Sequence, residues 1–415
     1  MYKFAHMADI HLGAHREPTL QKLEADAFSK AMDKCVELDV DFILVCGDFF
    51  HIGIPDLSVV NEALLKIRQV QKAGIPIYVI YGSHDYTPNG TSVIDILDTA
   101  GVMTNVAHWR VIGTRVKLDF FEDKKTGAKL TGISARKIGL ERKYYEMLDK
   151  ESLEKEDGFK VFAFHSAITE FKPEYLSAME SLPISYFPEG FDYYAGGHIH
   201  QMGEFKFPKY ENIVFPGPLF TGYGKDLEAT VRGEQRGFYV VSFDREVRQI
   251  EFQAIKNFEG IYQEFNATGK NALEADKELR QLLDINVNGK AVVLKVKGEL
   301  AGGKTSDINF PEIRSRLLGR GALYVHLNRY GLSTKEFPKF AGSGEEVSVI
   351  EGRVLSERIS QVSVSQQTLK DPSVALEVLR VLRQGQKSNE SKKDYQGRMI
   401  HGAIETLRLK EVFGQ

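Results

Sequence analysis

The apolar residues of the first half of the chain come in short blocks, and polar groups capable of chemistry follow directly behind them. Lys3-Phe4-Ala5-His6-Met7-Ala8 runs into Asp9-Ile10-His11-Leu12-Gly13, which predicts a buried strand with a carboxylate and an imidazole just past its end. Between Leu20 and Asp39, apolar residues at 20, 23, 27, 31, 35 and 38 recur at steps of three or four, the period of a helix with one inward face. Asp41 to Cys46 reads as a second buried strand delivering Gly47-Asp48-Phe49-Phe50-His51. Leu57, Val60, Leu64, Ile67 and Val70 mark a second helix, closed by Gly74 and Pro76. A third strand, Ile77 to Tyr81, ends in Gly82-Ser83-His84-Asp85. This alternation predicts an α/β fold, a parallel or mixed sheet with helices on its face, and functional groups belong at its strand ends.

The rhythm continues with weaker signals. Val111 to Phe121 and Lys129 to Ser134 read as strands around a turn, and Leu140 to Asp157 as a charged helix. Lys160 to Phe164 is a buried strand ending at His165, and Phe191 to Tyr194 leads through Ala195, Gly196 and Gly197 to His198-Ile199-His200. Ile213 to Pro218 reads as an edge strand and turn, Gly237 to Asp244 pairs with Val247 to Phe252 as a hairpin, and a first domain, 1–255, closes there. A small α+β domain follows over 256–335. It has a helix from Asn271 to Leu283, strands at Lys290 to Val296 and Gly321 to Leu327, and a capped helix opening at Asn309-Phe310-Pro311-Glu312. A linker over 336–372 leads to two amphipathic segments in 373–415. Ser373 to Gln384 carries Leu376, Leu379 and Leu382; Tyr395 to Val412 carries Ile400, Ile404 and Leu407. A helical pair isolated behind a linker suits docking on a partner helix.

Composition narrows the class. A chain of 415 residues is expected to hold more than one core, and 42% hydrophobic with 27% charged residues is ordinary for a soluble protein. No apolar run approaches the ~18–20 residues that span a bilayer, and the start, Met1-Tyr2-Lys3-Phe4, lacks a signal-peptide pattern. A mature intracellular protein, cytoplasmic and without membrane contact, is the expectation. The formal net charge of -3 speaks against a strongly basic nucleic-acid binder but leaves room for a local basic groove, or for a partner that brings the DNA. Cys35 and Cys46 lie in core-like segments and read as structural thiols.

A lone Asp or His in a core is ordinarily a satisfied structural group. Here Asp9, His11, Asp48, His51, Ser83, His84, His165, His198 and His200 all stand at strand ends, and so many on one sheet edge are hard to explain as core. An Asp and His set without Cys favours Mn, Zn or Fe, and a shared carboxylate can bridge two ions. Two ions about 3.5–4 Å apart suit attack on a phosphoester, because they clamp the nucleophile and neutralise the phosphate. The residues therefore predict phosphoester hydrolysis.

The series Asp9-Ile10-His11, Gly47-Asp48-Phe49-Phe50-His51, Gly82-Ser83-His84-Asp85, His165 and Gly197-His198-Ile199-His200 resembles the calcineurin-like metallophosphoesterase superfamily over roughly the first 200 residues. With the small α+β domain and the terminal helical pair, it resembles in particular the archaeal meiotic-recombination-eleven type of DNA double-strand-break repair nuclease, a relative of the bacterial SbcD exonuclease. The resemblance implies a four-layer α/β/β/α sandwich, a DNA-capping role for 256–335, and a helix-loop-helix in 373–415 that binds a Rad-fifty-type ABC ATPase. It also implies a homodimer, formed through helices that include Leu57 to Ala73.

For the site, the resemblance implies two Mn2+ per chain, with Asp9, His11 and His200 on one ion, His165 and His198 on the other, and Asp48 bridging. Hydroxide would attack the phosphodiester, His84 would protonate the leaving oxygen, and His51 would orient the phosphate or His84. Imidazole suits an acid role because its ordinary pKa lies near neutrality. Implied activities are 3′ to 5′ exonuclease on duplex ends and single-strand endonuclease. Ser83 departs from the family's Asn, and a hydroxyl is a shorter and weaker neutral donor, so either the second site is weaker and needs more manganese or the backbone shifts to keep a direct bond. The basic pairs His15-Arg16, Arg136-Lys137 and Arg142-Lys143 are candidates for phosphate contacts. Because one metal core serves many substrates, a phosphodiesterase or phosphatase acting on non-DNA substrates and a catalytically weakened repair scaffold stand as alternatives.

Overall fold

The strand and helix periodicities are realised as two six-stranded sheets packed face to face between helices. The computed structural model describes residues 1–87, 90–136, 141–177, 179–334, 352, 355, 371–385, 387, 390 and 392–407. The chain opens with β1 (Tyr2–Met7), α1 (Pro18–Glu37), β2 (Phe42–Cys46), α2 (Leu57–Lys72), β3 (Ile77–Ile80), α3 (Val93–Thr99) and β4 (Thr104–Asn105). A hairpin, β5 (Trp109–Ile112) and β6 (Arg115–Leu118), leads to β7 (Phe121–Glu122), β8 (Lys129–Ile133), α4 (Glu141–Glu146), α5 (Lys150–Glu154) and β9 (Lys160–His165). Then come β10 (Tyr193–Gly197), β11 (Gly203–Phe207), β12 (Tyr210–Phe215), α6 (Gly224–Val231), β13 (Gly237–Phe243) and β14 (Val247–Ala254).

The first sheet runs β14-β13-β1-β2-β3-β4, parallel from β1 to β4 with an antiparallel hairpin at its edge. The second runs β11-β12-β10-β9-β8-β7, parallel through its middle and antiparallel at both ends. Alternation along the strands decides the layers. Phe4, Phe42, Leu44 and Cys46 face the second sheet and meet Val161, Ala163, Tyr193 and Ala195. Ala5, Met7, Ile43 and Val45 face the other way, against Phe28, Ala31 and Met32 of α1 and Ile67 of α2. Phe162, Phe164 and Tyr194 cover the far side of the second sheet beneath Tyr145 and Leu153. Each fully buried side chain of this kind contributes roughly 1.5–3 kcal/mol. The result is the expected four-layer α/β/β/α sandwich.

A three-stranded parallel sheet follows, β15 (Glu259–Asn266), β16 (Lys290–Leu300) and β17 (Tyr324–Thr334), with α7 (Ala272–Leu282) and α8 (Phe310–Gly319) as its crossovers. It has a core of its own, including Leu279, Val292, Leu294, Phe310 and Ile313. The side chains of Asn271 and Asn309 cap the two helices, accepting from the N–H groups of Glu274 and Glu312 at 2.9 and 3.1 Å. This subdomain holds the sandwich through Tyr324 and Phe258 packed near Leu20, Ala27 and Phe220, and through Lys295 and Asn328, which bond Glu228 of α6 at 2.8 and 2.9 Å.

By its internal contacts the chain divides into Met1–Glu336 and Phe337–Gln415. In the second unit α9 (Pro372–Leu382) packs on α10 (Lys392–Thr406); a side chain at Gly402 would come within 2.8 Å of Val381 Cγ1, so the two helices touch closely there. Leu376, Leu379, Ile404 and Leu407 are half-buried, whereas Leu382 and Ile400 are exposed.

Several sequence expectations change. Val111 to Phe121 is not one strand, because Gly113-Thr114 turns it into the β5–β6 hairpin. The charged helix is broken between α4 and α5, where Leu148 bridges to Val116. Ile213 to Phe215 is not at an edge, since β11 covers it. Most of the expected linker, Lys137 and Val412 lie outside the described residues. No described helix is long and apolar enough to cross a membrane.

Glu24 of α1 fixes the loop behind β1, accepting from the N–H groups of Gly13 and Ala14 at 3.0 Å each. Burial pushes its carboxyl from 4.5 up to about 7, although those two donors pull the other way. A raised carboxyl favours the folded state while protonated, so this contribution is complete below pH 4.5 and lost as pH rises through about 7. Glu24→Gln is expected to flatten the fall in unfolding free energy across that window by on the order of 2–3 kcal/mol, read from urea titrations at a series of pH values.

Candidate metal centre

Parallel pairing brings the strand ends to one edge. Met7 stands opposite Val45, Cys46 opposite Ile80, and Gly197 opposite His165, so the residues that follow β1, β2, β3 and β10 emerge together. The chain then turns sharply through left-handed backbone at Asp9 (φ 52°), His11 (φ 52°), Asp48 (φ 51°) and His198 (φ 85°). For residues with a Cβ such a conformation costs roughly 1–3 kcal/mol each and persists only where neighbours enforce it. Here Asp9 N–H bonds Gly47 O at 3.1 Å, His11 N–H bonds Asp48 O at 2.9 Å, and His198 N–H reaches both carboxylate oxygens of Asp9 at 3.1 Å. Asp85 accepts from the N–H groups of Gly82, Phe49 and Phe50 at 2.9, 3.2 and 3.0 Å, tying the ends of β2 and β3 together. No side chain fits at Gly82 or Gly197, where a Cβ would lie 2.1 Å from Asp48 Oδ1 and 2.0 Å from Cys46 O.

Among the described residues three sets of donor atoms, each within 4.8 Å of one another, result: Asp9, His11 and His200; Asp9, Asp48 and His165; and His11, His51 and His84. His11 Nε2 lies 3.1 Å from His200 Nε2 and 3.7 Å from Asp48 Oδ2, and His165 Nε2 lies 3.2 Å from Asp48 Oδ2 and 3.9 Å from Asp9 Oδ1. His165 Nε2 is buried and, lacking the alignment of a hydrogen bond to that carboxylate, has no hydrogen-bond partner. Paired ring nitrogens, buried carboxylates and an orphaned imidazole nitrogen fit a divalent ion held by nitrogen and oxygen. Cys35 and Cys46 are free, buried thiols whose pKa burial raises, and neither belongs to these sets.

The other ring nitrogens are fixed from behind, as ligand imidazoles require. His165 Nδ1–H donates to Cys46 O at 2.8 Å, His200 Nδ1–H to Asp226 Oδ2 at 2.9 Å, and His84 Nδ1–H to His51 O at 2.6 Å. The Asp226 carboxylate also accepts from the N–H groups of Gly222 and Tyr223, both at 2.9 Å, and buried Arg236 bonds His200 O and Asp226 O at 2.9 and 3.1 Å. The Tyr223 hydroxyl lies 2.9 Å from His84 Nε2.

Electrostatics agree with the geometry. Burial raises Asp9, whereas for Asp48 burial is outweighed by the imidazoles of His165 and His11, which hold its carboxyl well below the usual range. Burial opposes charge on His165, yet the carboxylates of Asp48 and Asp9 prevail and hold it up to about 10. Burial, then the charge on His165, lowers His198 to about 3. The two buried carboxylates call for positive charge between them, from a proton on His165 or from a cation.

The residues singled out in the sequence do not all converge. His198 stacks edge to face on His165 with ring centroids 5.2 Å apart but is outside the three donor sets; with Ser83, His165 and Arg136 it lines a cavity of about 360 Å³. His15 bonds Thr221 O and Oγ1 at 2.6 and 3.1 Å, which secures the loop before α6. Arg16 is exposed, Arg142 pairs with Glu146 at 3.1 Å, and Arg136 lies over the rings of Trp109 and Tyr144. Asp226, Tyr223 and Arg236 were not anticipated. They follow a glycine-rich loop or sit beyond a helix, where no strand end announces them.

Residues 2–202 match the calcineurin-like phosphoesterase family. The chain is 27% identical over 304 residues to the DNA double-strand break repair protein Mre11 of Archaeoglobus fulgidus, covering 66% of each. It is 29% identical over 204 residues to the protein of that name from Methanococcus maripaludis, covering 48% of this chain and 52% of the relative. With the one from Thermoplasma acidophilum it shares 30% identity over 241 residues, 56% of this chain and 58% of the relative. These matches span about half to two thirds of the relatives' length.

Asp226 holds His200 from behind, and loss of such a partner typically weakens metal binding about 10–100-fold. Asp226→Asn is expected to lower divalent-metal affinity by that order with the fold retained, as measured by calorimetric titration beside circular dichroism.

Proposed function

We propose that this chain, built on a calcineurin-like phosphoesterase domain over residues 2–202, is a metal-dependent nuclease that hydrolyses DNA phosphodiesters in double-strand-break repair. The observation that carries the reading is the pair of overlapping donor sets, Asp9, His11, His200 and Asp9, Asp48, His165, beside a third containing His84 and His51. Similarity to the archaeal repair proteins supplies the substrate class. We read the site as one for two manganese ions, with Asp9, His11 and His200 on one, His165 and His198 on the other, and Asp48 shared. Bound ions of this kind lower the pKa of water and neutralise phosphate charge.

The chain's own residues have distinct tasks in this reading. Nδ1–H of His84 donates to the carbonyl of His51, which turns Nε2 toward the departing oxygen; the imidazolium form of His84 gives that oxygen its Nε2 proton and is left as the neutral Nδ1–H tautomer. Tyr223, whose hydroxyl meets Nε2, gives way to the leaving group. His51 orients His84 through its carbonyl, and its own ring nitrogen Nδ1 is 3.4 Å from His11 Nδ1. Ser83 shares the cavity of His165 and His198 and supports a weaker second site. Arg16, Arg136 and Lys137 are the proposed phosphate contacts, with His15 shaping the loop beside them. Exposed Ile52, Ile54, Leu57 and Leu65 on and before α2 support a homodimer through that helix. The apolar residues of α9 and α10, among them exposed Leu382 and Ile400, support docking on a Rad-fifty-type ATPase. On this reading the enzyme works as a 3′ to 5′ exonuclease on duplex ends and as a single-strand endonuclease, and the subdomain of β15 to β17 caps the DNA.

Labelled duplex and single-stranded DNA, digested with manganese, magnesium or chelator, test the assignment. Cleavage with manganese and about 10²–10⁴-fold slower turnover in His84→Ala are expected; intact DNA under every metal, with p-nitrophenyl esters hydrolysed, would overturn it. Ser83→Asn is expected to shift the manganese activation curve to lower concentration, and an unchanged midpoint would remove Ser83 from the metal site.

A further inference from the structure

We infer that a cavity next to the metal centre, walled by Trp109, Tyr144 and Arg136, takes one unstacked base of a single strand whose phosphate lies at the metals. The inference rests on the phosphodiesterase reading above and extends it to a substrate subsite.

The cavity encloses about 190 Å³. That is below the ~300–1,000 Å³ of common small-molecule sites and suits a single ring system. Its lining includes Asp85 and Tyr86, the two residues after His84, so it opens beside the loop that carries the proposed acid. It shares Ala135 and Arg136 with the cavity of Ser83, His165 and His198. Arg136 thus stands on the wall between the metal ligands and the aromatic side chains.

The wall has the chemistry of a stacking platform. The guanidinium of Arg136 lies 5.0 Å from the Trp109 ring centre and 4.6 Å from that of Tyr144, and the two rings are 4.6 Å apart. Bases splayed from single strands are held in this way, on aromatic rings and guanidinium planes. Trp109 is 36% exposed. It is borne by β5, which among the described residues pairs with β6 in a two-stranded sheet apart from the sandwich; Val116 and Leu118 tie the hairpin into the core, and Trp109 itself packs on Tyr144 of α4. The lining also carries Asn105, whose Oδ1 accepts from Ala107 N–H at 2.9 Å, which leaves its amide N–H groups as donors, whereas Asp95 is already bonded by Tyr81 and Ser92, and Ser92 Oγ by the Asp95 N–H. An apolar ligand would strand the Asn105 amide, whereas an acceptor on the edge of a base satisfies it.

Trp109 is the sole tryptophan of the sequence, so its emission reports on this cavity without reference to activity. The full chain, with metal chelated, is titrated with a dye-labelled single-stranded oligonucleotide, with the same strand made abasic, and with dAMP. Dye anisotropy reads binding, and tryptophan emission reads occupancy of the cavity. Saturable quenching by the base-bearing strand and by dAMP is expected, with no quenching by the abasic strand and roughly 5–100-fold weaker binding of it. Tyr144→Ala is expected to weaken the base-bearing strand by a similar factor and leave the abasic strand unchanged. Equal binding of the two strands, or binding without quenching, overturns the inference. DNA cleaved with manganese but no quenching would sink the cavity alone. Quenching by dAMP without DNA binding or cleavage would sink the nuclease reading and keep a nucleotide site, and neither signal would remove both.

Discussion

Two carboxylates buried side by side set the terms for the structure around them. Asp9 and Asp48 lie almost wholly out of water, and an unpaired buried charge is expensive enough that a fold must neutralise it, donate to it or protonate it. Two of these responses are visible. The N–H of His198 donates to both oxygens of Asp9 and that of His84 to Asp48 at 2.8 Å, while His165 Nε2 stands 3.2 Å from Asp48 Oδ2, where the two carboxylates favour its charged form. The left-handed backbone at four of the site residues is the local cost, and the parallel register of β1, β2 and β3 is what sustains it. Glycines at 82 and 197 follow from the same crowding, because the sheets must close to backbone contact for the imidazoles to reach the carboxylates.

That constraint explains why the strands at the centre of the sandwich are buried. β2 and β9 are buried throughout and β1 from Phe4 to Met7, where the ring of His6 is satisfied by Tyr193 and Gly196, and the ends of the strands are where unpartnered polarity can begin. The packing of Phe4 on Phe42, with ring centres 5.0 Å apart and planes 2° from parallel, locks the two strands whose ends carry Asp9 and Asp48. Precision at the site is inherited from a core that has little freedom to shift.

The same features governed what was readable in the sequence. Continuous apolar runs gave β1, β2, β3, β9 and β10 plainly and with them a parallel or mixed sheet, whereas the second sheet and the four layers were implied by the family resemblance and not by the pattern. β11, reading Gly-Glu-Phe-Lys-Phe, is short and mostly exposed, and its absence from the expectation left Ile213 to Phe215 misread as an edge. Val111 to Phe121 was misread because Gly113 turns a strand that is otherwise well patterned. At the site, Asp9, His11, Asp48, His84, His165 and His200 were legible because each follows a strand. Asp226 and Tyr223 were not, since Thr221-Gly222-Tyr223-Gly224 has the composition of any loop and only the tertiary fold brings it over His84 and His200. His15 drew attention as half of a basic pair, but its ring is engaged with Thr221, a contact 206 positions away that no local pattern encodes.

Helix α6 has a place that none of its own residues explains. On one side Asp226 grips His200; two positions on, Glu228 is gripped by Lys295 and Asn328 from the three-stranded subdomain, with Tyr262 at 3.4 Å. One eight-residue helix thus joins the orientation of a site imidazole to the seating of the subdomain, and any coupling that runs between them through it is reciprocal.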